Sequence, residues 1–312
     1  MLPAPFHSEL CNGSKGGKAF WRRSSDNIKL RLTLWHGLDA SRGTVFLFPG
    51  RGEYAEKYTV LADWLNARNY TALCIDWRGQ GLSDRLLDDP QKGYIGSYAD
   101  YQTDLDAMLE AADEMRLPKP WFILGHSMGA CIALRRLTRT HPFTASAFGA
   151  PMWQMAAPFW KRCLAPVAAR LVQGTTFAQG YMPNQGPHPY ALTHPFIDNE
   201  LTSSASAWAD MLQAWAHCPQ LTIAGATIQW VAAGEIETRA LQKLPSPDLP
   251  CYVGIGGNER IINPRAIHAR MARWPKGRLE VIPGGEHELM FERSVIRARF
   301  LAGVAGLFDT AT

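Results

Sequence analysis

The stretch WFILGHSMGA, from Trp121 to Ala130, places a serine between two glycines directly after an apolar run. Its central residues, Gly125 to Gly129, fit the pattern G-x-S-x-G, in which a sharp strand-to-helix turn exposes a nucleophilic serine. The pattern is short enough to occur by chance, so its meaning depends on the surrounding sequence. Ser127 fits this role only if a strand precedes it and a helix follows it.

The residues on either side of the motif supply that context. Trp121–Gly125 is typical of a short buried strand, and Met128–His141 has the composition of a helix with basic residues near its C-terminal end. Ile28–Trp35 alternates apolar and polar residues, which predicts a half-exposed edge strand. Further strands are predicted at Thr44–Gly50, Thr71–Trp77, Thr144–Pro151, Pro250–Gly257 and Gly277–Gly285, and further helices at Tyr54–Arg68, Tyr98–Met115, Pro264–Trp274 and Glu292–Phe308. This alternation predicts an α/β fold with a mostly parallel central sheet and helices on both faces.

The segment from residue 151 to residue 245 interrupts the alternation. It lacks apolar strand runs, carries few charged residues, and is rich in Ala, Pro, Trp and Met. We therefore predict a first part of the core over residues 1–150, an inserted helical cap, or lid, over 151–245, and a second part of the core over 246–312. The Trp and Met side chains of the insertion are equally compatible with a small core of its own.

A serine hydroxyl needs a base to become a nucleophile, and the base needs an acid that orients it. Enzymes with this turn carry the nucleophile, the acid and the histidine in that order, the last two on turns after strands. His287 follows the last predicted strand in a Gly-rich turn, and Glu259 follows the strand before it. We predict Ser127, Glu259 and His287 as the catalytic residues. For Glu259 the alternative is a surface ion pair with Arg260.

The tetrahedral intermediate of such a reaction needs preorganised N–H donors. One donor is expected from Met128, directly after the nucleophile, and the other from the loop FPGRGEYAEKY, Phe48–Tyr58, after an early strand. Its glycines allow the backbone to turn its amides inward, so the Arg51 N–H is the candidate. The alternative is an ordinary Pro-Gly turn. The Arg51 side chain is unusual in this loop, and we hypothesise that it reaches a substrate phosphate or carboxylate.

Charge and composition limit the other functions that the protein could have, such as binding to nucleic acid or to membranes. The net charge is +4 and the isoelectric point about 8.7, but no run of five basic residues occurs, so nucleic-acid binding is not expected. The mild positive charge leaves room for a peripheral contact with an anionic lipid surface. We find no secretory signal and no run of 18 apolar residues, so a soluble cytoplasmic protein is expected, in peripheral contact at most with the inner face of the membrane.

Metals and cofactors find little support in the sequence. The cysteines show no C-x-x-C pair, which predicts free thiols in a reducing compartment. They are Cys11, Cys74, Cys131, Cys163, Cys218 and Cys251. HELMF has Phe291 where a zinc motif requires a second histidine, and no phosphate-binding glycine motif opens a helix. No metal and no cofactor are expected.

The chain resembles the α/β-hydrolase superfamily, and within it the lysophospholipase and monoacylglycerol lipase group, which shades into serine aminopeptidase-like (S33) hydrolases. Four motifs carry the resemblance: FPGRGEYAEKY, DWRGQGLSDR, GHSMG and GGEHELMFE. Two departures stand out. Pro49 occupies a position where relatives often have His, and Glu259 stands where Asp is more common.

The resemblance implies that the protein hydrolyses carboxylic esters of single-chain lipids, lysophospholipids or monoacylglycerols, through an acyl-enzyme. An aminopeptidase or small-ester hydrolase of the same fold is one alternative; peptidases of this type use cap carboxylates to bind a free amino terminus. The cap carboxylates are Asp198, Glu200, Asp210, Glu235 and Glu237. A catalytically silent binding protein is the other alternative.

Overall fold

The computed structural model describes residues 1–13, 16–37, 41–156, 175–183 and 185–311. Its strands are β1 (Leu2–Pro3), β2 (Lys18–Arg23), β3 (Lys29–Trp35), β4 (Thr44–Phe48), β5 (Thr71–Asp76), β6 (Trp121–His126), β7 (Phe143–Gly149), β8 (Cys251–Gly256) and β9 (Gly277–Ile282). These nine strands form one sheet in the order β1-β2-β3-β5-β4-β6-β7-β8-β9. The expected mostly parallel sheet is confirmed, because every pairing from β5 to β9 is parallel and only the first three strands add antiparallel pairings.

Helices cover both faces of the sheet, as the alternating sequence predicts. They are α1 (Thr59–Asn66), α2 (Asp100–Glu114), α3 (Ser127–Leu137), α4 (Tyr190–Thr193), α5 (Ala205–His217), α6 (Ile228–Lys243), α7 (Pro264–Met271) and α8 (Ser294–Thr310). Successive β4 side chains point to opposite faces. Phe46 and Phe48 pack with α2, α3, α6 and α7, whereas Val45 and Leu47 pack with α1 and α8. Because β4 to β9 run parallel, their carboxyl ends lie together at the same end of the sheet.

The prediction that Ile28–Trp35 is a half-exposed edge strand is wrong. β3 pairs with β2 on one side and β5 on the other, and it is almost wholly buried. Its polar positions are satisfied inside the protein: the fully buried Arg31 guanidinium donates to both Glu56 carboxylate oxygens at 2.7 Å and to Asp76. Alternation therefore does not reveal exposure here, because each buried charge has a partner.

The chain between β7 and β8 packs in two places. Trp208, Met211 and Trp215 of α5 form a small apolar cluster with Tyr54 and a few neighbours, whereas Trp230 of α6 belongs to the main core. The segment therefore packs partly in a small cluster that it shares with Tyr54 and partly, through α6, against the sheet. Residues 157–174 and 184 of the predicted cap lie outside the described residues.

Two further expectations concern the whole chain. Five cysteines are described and all are free; Cys74, Cys131, Cys218 and Cys251 are buried. Cys163 lies outside the described residues. None of the described helices has the length and apolar character needed to cross a membrane.

Candidate active site

Ser127 lies at the turn between β6 and α3, where the sequence predicts it. Its backbone has φ of +47°, a left-handed conformation that a non-glycine residue adopts only when its surroundings impose it. The Met152 N–H donates to the Ser127 carbonyl at 3.0 Å and helps to hold the turn. The serine is therefore held in a strained strand-to-helix turn of the kind the motif requires.

The second glycine of the motif permits a close approach between α3 and β4. A methyl group at Gly129 would lie 2.1 Å from the Phe48 carbonyl oxygen, a distance that no side chain tolerates. Phe48 is the last residue of β4 and leads into the loop that carries Arg51. Gly129 thus brings the start of α3 and this loop together.

The structure brings Glu259 and His287 together. Their turns follow β8 and β9, and the Nδ1 atom of His287 lies 2.7 Å from Oε2 of Glu259. The other carboxylate oxygen accepts the N–H groups of Ile261 at 2.8 Å and Ile262 at 3.1 Å. The alternative pairing with Arg260 is not what the structure shows, since Arg260 pairs with Asp198 at 2.9 Å.

The environment keeps Glu259 ionised. Burial alone would raise its pKa, but the charge and hydrogen bond of His287, together with the two backbone N–H donors, hold the pKa below the usual value of 4.5. The side chains of both residues are almost completely buried. A carboxylate held in this way can fix the orientation of an imidazole ring and favour its protonated form.

His287 also contacts the turn that carries Ser127. Its ring centroid lies 4.8 Å from that of His126, and Nε2 of His126 lies 3.2 Å from the His287 carbonyl oxygen. The His287 N–H donates to the Glu200 carbonyl at 3.3 Å, which links it to the insertion. The three predicted residues thus all lie at the carboxyl ends of the parallel strands, on the turns after β6, β8 and β9.

The loop after β4 has most of its polar backbone groups occupied. The Pro49 carbonyl accepts from Trp77 at 3.0 Å, and the Gln80 side chain bonds the Gly50 carbonyl at 2.9 Å and the Gly52 N–H at 3.2 Å. In the part of the chain that the structure describes, no such partner engages the Arg51 N–H. Met128 lies in the first turn of α3, where a backbone N–H has no partner within the helix. The role of these two N–H groups as oxyanion donors stays a prediction.

The Arg51 side chain points towards the insertion. Its guanidinium donates to the Ala224 carbonyl at 2.6 Å and lies over the Trp230 ring at 5.2 Å from the centroid. Burial lowers the pKa of Arg51 to about 10, although Tyr101, Tyr98 and Tyr181 oppose the shift. The side chain therefore links the loop to the segment before α6, a role that the sequence does not reveal.

A buried charged network lies behind the loop, and sequence patterns did not single it out. Oε2 of Glu53 accepts the Gly50 N–H at 2.5 Å and the Tyr58 hydroxyl at 2.6 Å, and it lies 3.2 Å from Nδ1 of His126. Lys57 donates to the other oxygen at 3.0 Å. The group that fixes Gly50 therefore also fixes the residue before Ser127.

Mutual attraction sets the charges in this network. Burial would raise the pKa of Glu53, but Lys57 and His126 hold it well below its usual value. Burial would lower the pKa of His126, but Glu53 holds it above 6.5. Lys57 also donates to Glu288 at 2.7 Å. The only local signal in the sequence is that Glu53 and Lys57 follow Gly50 closely; His126 becomes a partner only through the fold.

The described residues form no cluster of side chains suited to binding a metal ion. Across residues 1–13, 16–37, 41–156, 175–183 and 185–311, no three His, Cys, Asp or Glu side chains are grouped so that they could hold a metal ion. The groups near Ser127 are instead a histidine, a carboxylate that contacts it, and backbone N–H groups. Such a set can carry out acyl transfer from an ester or amide.

Comparisons with known proteins agree with this geometry. Residues 39–294 match the family model described as serine aminopeptidase, S33. Lysophospholipase L2 of Escherichia coli is 30% identical over 314 residues, covering 93% of this chain and 89% of that protein. A probable lysophospholipase L2 of Haemophilus influenzae is 27% identical, covering 89% of this chain and 88% of that protein.

A solved structure shows the same fold. A soluble variant of monoglyceride lipase from Saccharomyces cerevisiae, in complex with a substrate analog, superposes with a TM-score of 0.74 at 18% identity, covering 99% of this chain and 100% of that one. The sheet order and the turn at Ser127 are those of the α/β-hydrolase fold, in agreement with the family match. The chain belongs to the serine aminopeptidase S33 family of hydrolases and has the α/β-hydrolase fold.

Proposed function

We propose that the protein is a serine hydrolase that cleaves carboxylic esters of single-chain lipids, lysophospholipids or monoacylglycerols. The family match makes it a hydrolase, and the similarity to lysophospholipases over most of the chain supports lipid esters as substrates. The observation that carries the proposal is the 2.7 Å contact between His287 and Glu259, next to the strained turn of Ser127.

The proposed mechanism assigns one step to each group. The Ser127 hydroxyl attacks the ester carbonyl and passes its proton to Nε2 of His287, because Nδ1 is engaged by Glu259. The Arg51 and Met128 N–H groups stabilise the oxyanion. The imidazolium then protonates the leaving alcohol, and an acyl-enzyme forms at Ser127. A water molecule, deprotonated by His287, releases the fatty acid and restores the serine.

We further propose that the insertion acts as the cap over this site. Its link to His287 through Glu200 and its link to the Arg51 loop through Ala224 support a place beside the reacting groups. Phe177, Leu192 and Ile197 of the insertion are largely exposed, at 65%, 57% and 81% of their surface. Exposed apolar side chains here support a peripheral contact with a lipid surface.

The aminopeptidase alternative has fewer carboxylates than the sequence suggests. Asp198 pairs with Arg260, Glu235 with Arg239, and Glu237 with Arg135. Carboxylates that already hold a guanidinium are poor partners for a substrate ammonium group. Glu200 and Asp210 have no salt bridge among the described residues, and the Glu200 backbone contacts His287, so Glu200 is the carboxylate to test for a peptidase role.

Acyl release from lysophosphatidylcholine, a monoacylglycerol and an aminoacyl arylamide, measured side by side, tests the proposal. We expect hydrolysis of at least one lipid, its loss in Ser127→Ala, and labelling of Ser127 by a fluorophosphonate probe. Cleavage of the arylamide alone, lost in Glu200→Gln, would move the protein to the peptidase alternative. Lipid hydrolysis that survives in Ser127→Ala would refute the assigned nucleophile.

A further inference from the structure

A cavity lined by arginines lies between α6 and α7. Its volume is about 380 Å³, and it is bounded by the last turn of α6, by α7 and by the chain just after β7. Three arginines line it, Arg265, Arg270 and Arg273, together with the side-chain amides of Gln154, Gln242 and Asn263. No Asp or Glu lines it among the described residues. The cavity therefore combines a concentrated positive charge with neutral hydrogen-bonding groups.

The three arginines lack acidic partners within the described ranges. The carboxylates nearest along the chain are engaged elsewhere, Asp248 with Lys276 at 2.9 Å and Glu259 with His287. The undescribed residues 157–174 contain neither Asp nor Glu. Other arginines of the described chain do hold carboxylates; they include Arg22, Arg31, Arg78, Arg135, Arg260 and Arg299.

Arg270 is the fixed member of the group. It is 3% exposed, and its guanidinium donates to the Leu244 carbonyl at 2.9 Å and to the Leu241 carbonyl at the end of α6. Burial, with a contribution from the neighbouring charge of Arg273, lowers the pKa of Arg270 to about 10. Two carbonyls satisfy hydrogen bonds but not charge, so an anion in the cavity would stabilise this arrangement.

Arg265 and Arg273 are the exposed members. Both flank the cavity from the α7 side, and Arg273 bonds only backbone carbonyls, of Ala269 at 3.3 Å and Gln242 at 3.4 Å, among the described residues. A planar guanidinium matches the oxygens of a carboxylate or a phosphate, and a site with three guanidinium groups favours the anion of higher charge, a phosphate. The cavity is larger than a phosphate ion, so there is room for the group that carries it.

We propose that this cavity is a binding site for a phosphate group, carried either by a small phosphate ester or by a phospholipid headgroup. Arg265 and Arg273 close on the phosphate oxygens from the exposed side, and Arg270 supplies a fixed positive charge below them. Gln154, Gln242 and Asn263 border the remainder of the ligand; their amides also bond within the protein, Asn263 to Gln154 at 2.5 Å and Gln242 to the Trp153 carbonyl at 3.4 Å. The proposal does not depend on the esterase activity.

Calorimetric titration with glycerol 3-phosphate, in a Ser127→Ala background that removes turnover, tests the soluble source. Flotation with phosphatidylcholine vesicles, with and without phosphatidic acid, tests the lipid source in the same background. We expect binding in at least one arm, weakened ~10-fold or more in Arg265→Gln/Arg273→Gln. Arg270 is left intact, because it also holds the end of α6.

Arg139→Gln/Arg297→Gln is the matched control, since it removes the same net charge from side chains outside the cavity. Binding that the control retains and Arg265→Gln/Arg273→Gln loses supports the proposal, and the arm in which it occurs identifies the source. Absence of binding in both arms overturns the proposal. Equal weakening in the control and in Arg265→Gln/Arg273→Gln also overturns it, since that result would reflect net charge alone.

Discussion

At the scale of single residues, Glu259 uses its two carboxylate oxygens for different tasks. One oxygen is fixed by the Ile261 and Ile262 N–H groups, and the other faces Nδ1 of His287. The carboxylate therefore cannot rotate without losing two backbone hydrogen bonds. Both carboxylate oxygens of Glu259 are therefore held in place, which suits its proposed role of orienting His287.

Glu259→Gln is predicted to lower kcat by about 10⁴-fold while the protein stays folded. The amide oxygen would keep the two backbone bonds, which turns the NH₂ group towards His287. Nδ1 must then accept, so the ring proton moves to Nε2 and the base is lost. Steady-state ester hydrolysis measures the effect, with Glu259→Asp as the variant that retains charge. A Gln variant as active as the Asp variant would contradict this role.

His126 links stability to pH. Its pKa in the folded protein lies above the ordinary 6.5, so its charged form stabilises the fold fully below that value and the contribution is lost as pH rises through the raised pKa. Glu53 stays ionised throughout, because its pKa is well below 4.5. Thermal unfolding should show wild type exceeding His126→Gln most at ~pH 6 and least at ~pH 9. A gap that widens with pH would reverse the assignment.

The sequence is most informative at this scale. Ser127 and His287 are predictable because a strained turn and a Gly-rich strand end leave local patterns. The contact between Glu53 and His126 is not predictable, because the two residues lie in different motifs and their hydrogen bond joins positions 73 residues apart. For Arg51 the sequence predicts the position in the loop after β4. Its side-chain contact with Ala224 is seen only in the folded structure.

At the scale of elements, the contact between α3 and β4 sets the geometry of the loop that carries Arg51. Gly129→Ala places a methyl group 2.1 Å from a backbone oxygen, so α3 must shift. We predict a loss of about 3 kcal/mol or more in the free energy of unfolding, with reduced kcat, measured by urea unfolding and ester hydrolysis.

Gly306→Ala is the control for that variant. Gly306 is an exposed position within α8, and no heavy atom lies within 4 Å of an added methyl group. This substitution should raise stability by about 0.5–1 kcal/mol, since alanine favours the helix. Equal behaviour of the two variants would show that the approach of α3 to β4 is not as close as described.

Strand order shows where sequence patterns stop at this scale. The parallel strands β4 to β9 are recognisable as apolar runs, but β1 and β2 were not predicted and β3 was assigned to the edge. The edge assignment of β3 is explained by Arg31, which makes the strand look half-exposed although its charge is buried against Glu56 and Asp76.

Arg31→Leu should therefore lower the free energy of unfolding by about 3–5 kcal/mol, measured by urea unfolding, because it leaves two buried carboxylates unpaired.

At the scale of the whole molecule, two arginines hydrogen-bond the segment before α6 to the rest of the protein. They lie in the loops that follow β4 and β5. Arg51 holds the Ala224 carbonyl, and Arg85 holds the carbonyls of Gln220 and Thr222. The Ala224 N–H donates to the Gln91 carbonyl at 2.7 Å. These bonds fix one part of the insertion relative to the Arg51 loop.

Arg85→Ala is predicted to speed amide hydrogen exchange in residues 219–227 and to leave β8 unchanged, since local opening need not involve the core. Mass-spectrometric exchange measures both regions in one experiment. Arg68→Ala is the matched control, because the Arg68 guanidinium donates to the Trp64 carbonyl and lies over the Trp64 ring. Unchanged exchange in residues 219–227 would show that the Arg85 bonds do not hold this segment.

The connection between β7 and β8 has a consequence for how this protein could have diversified. The two strands are neighbours, and α6 already completes the crossover between them, so no pairing of the nine strands depends on the described residues between Ala156 and Thr227. The residues proposed for the chemistry all lie outside that stretch. One segment could therefore be exchanged between relatives, or in a designed chimera, to change which molecule is admitted while the reaction is inherited intact.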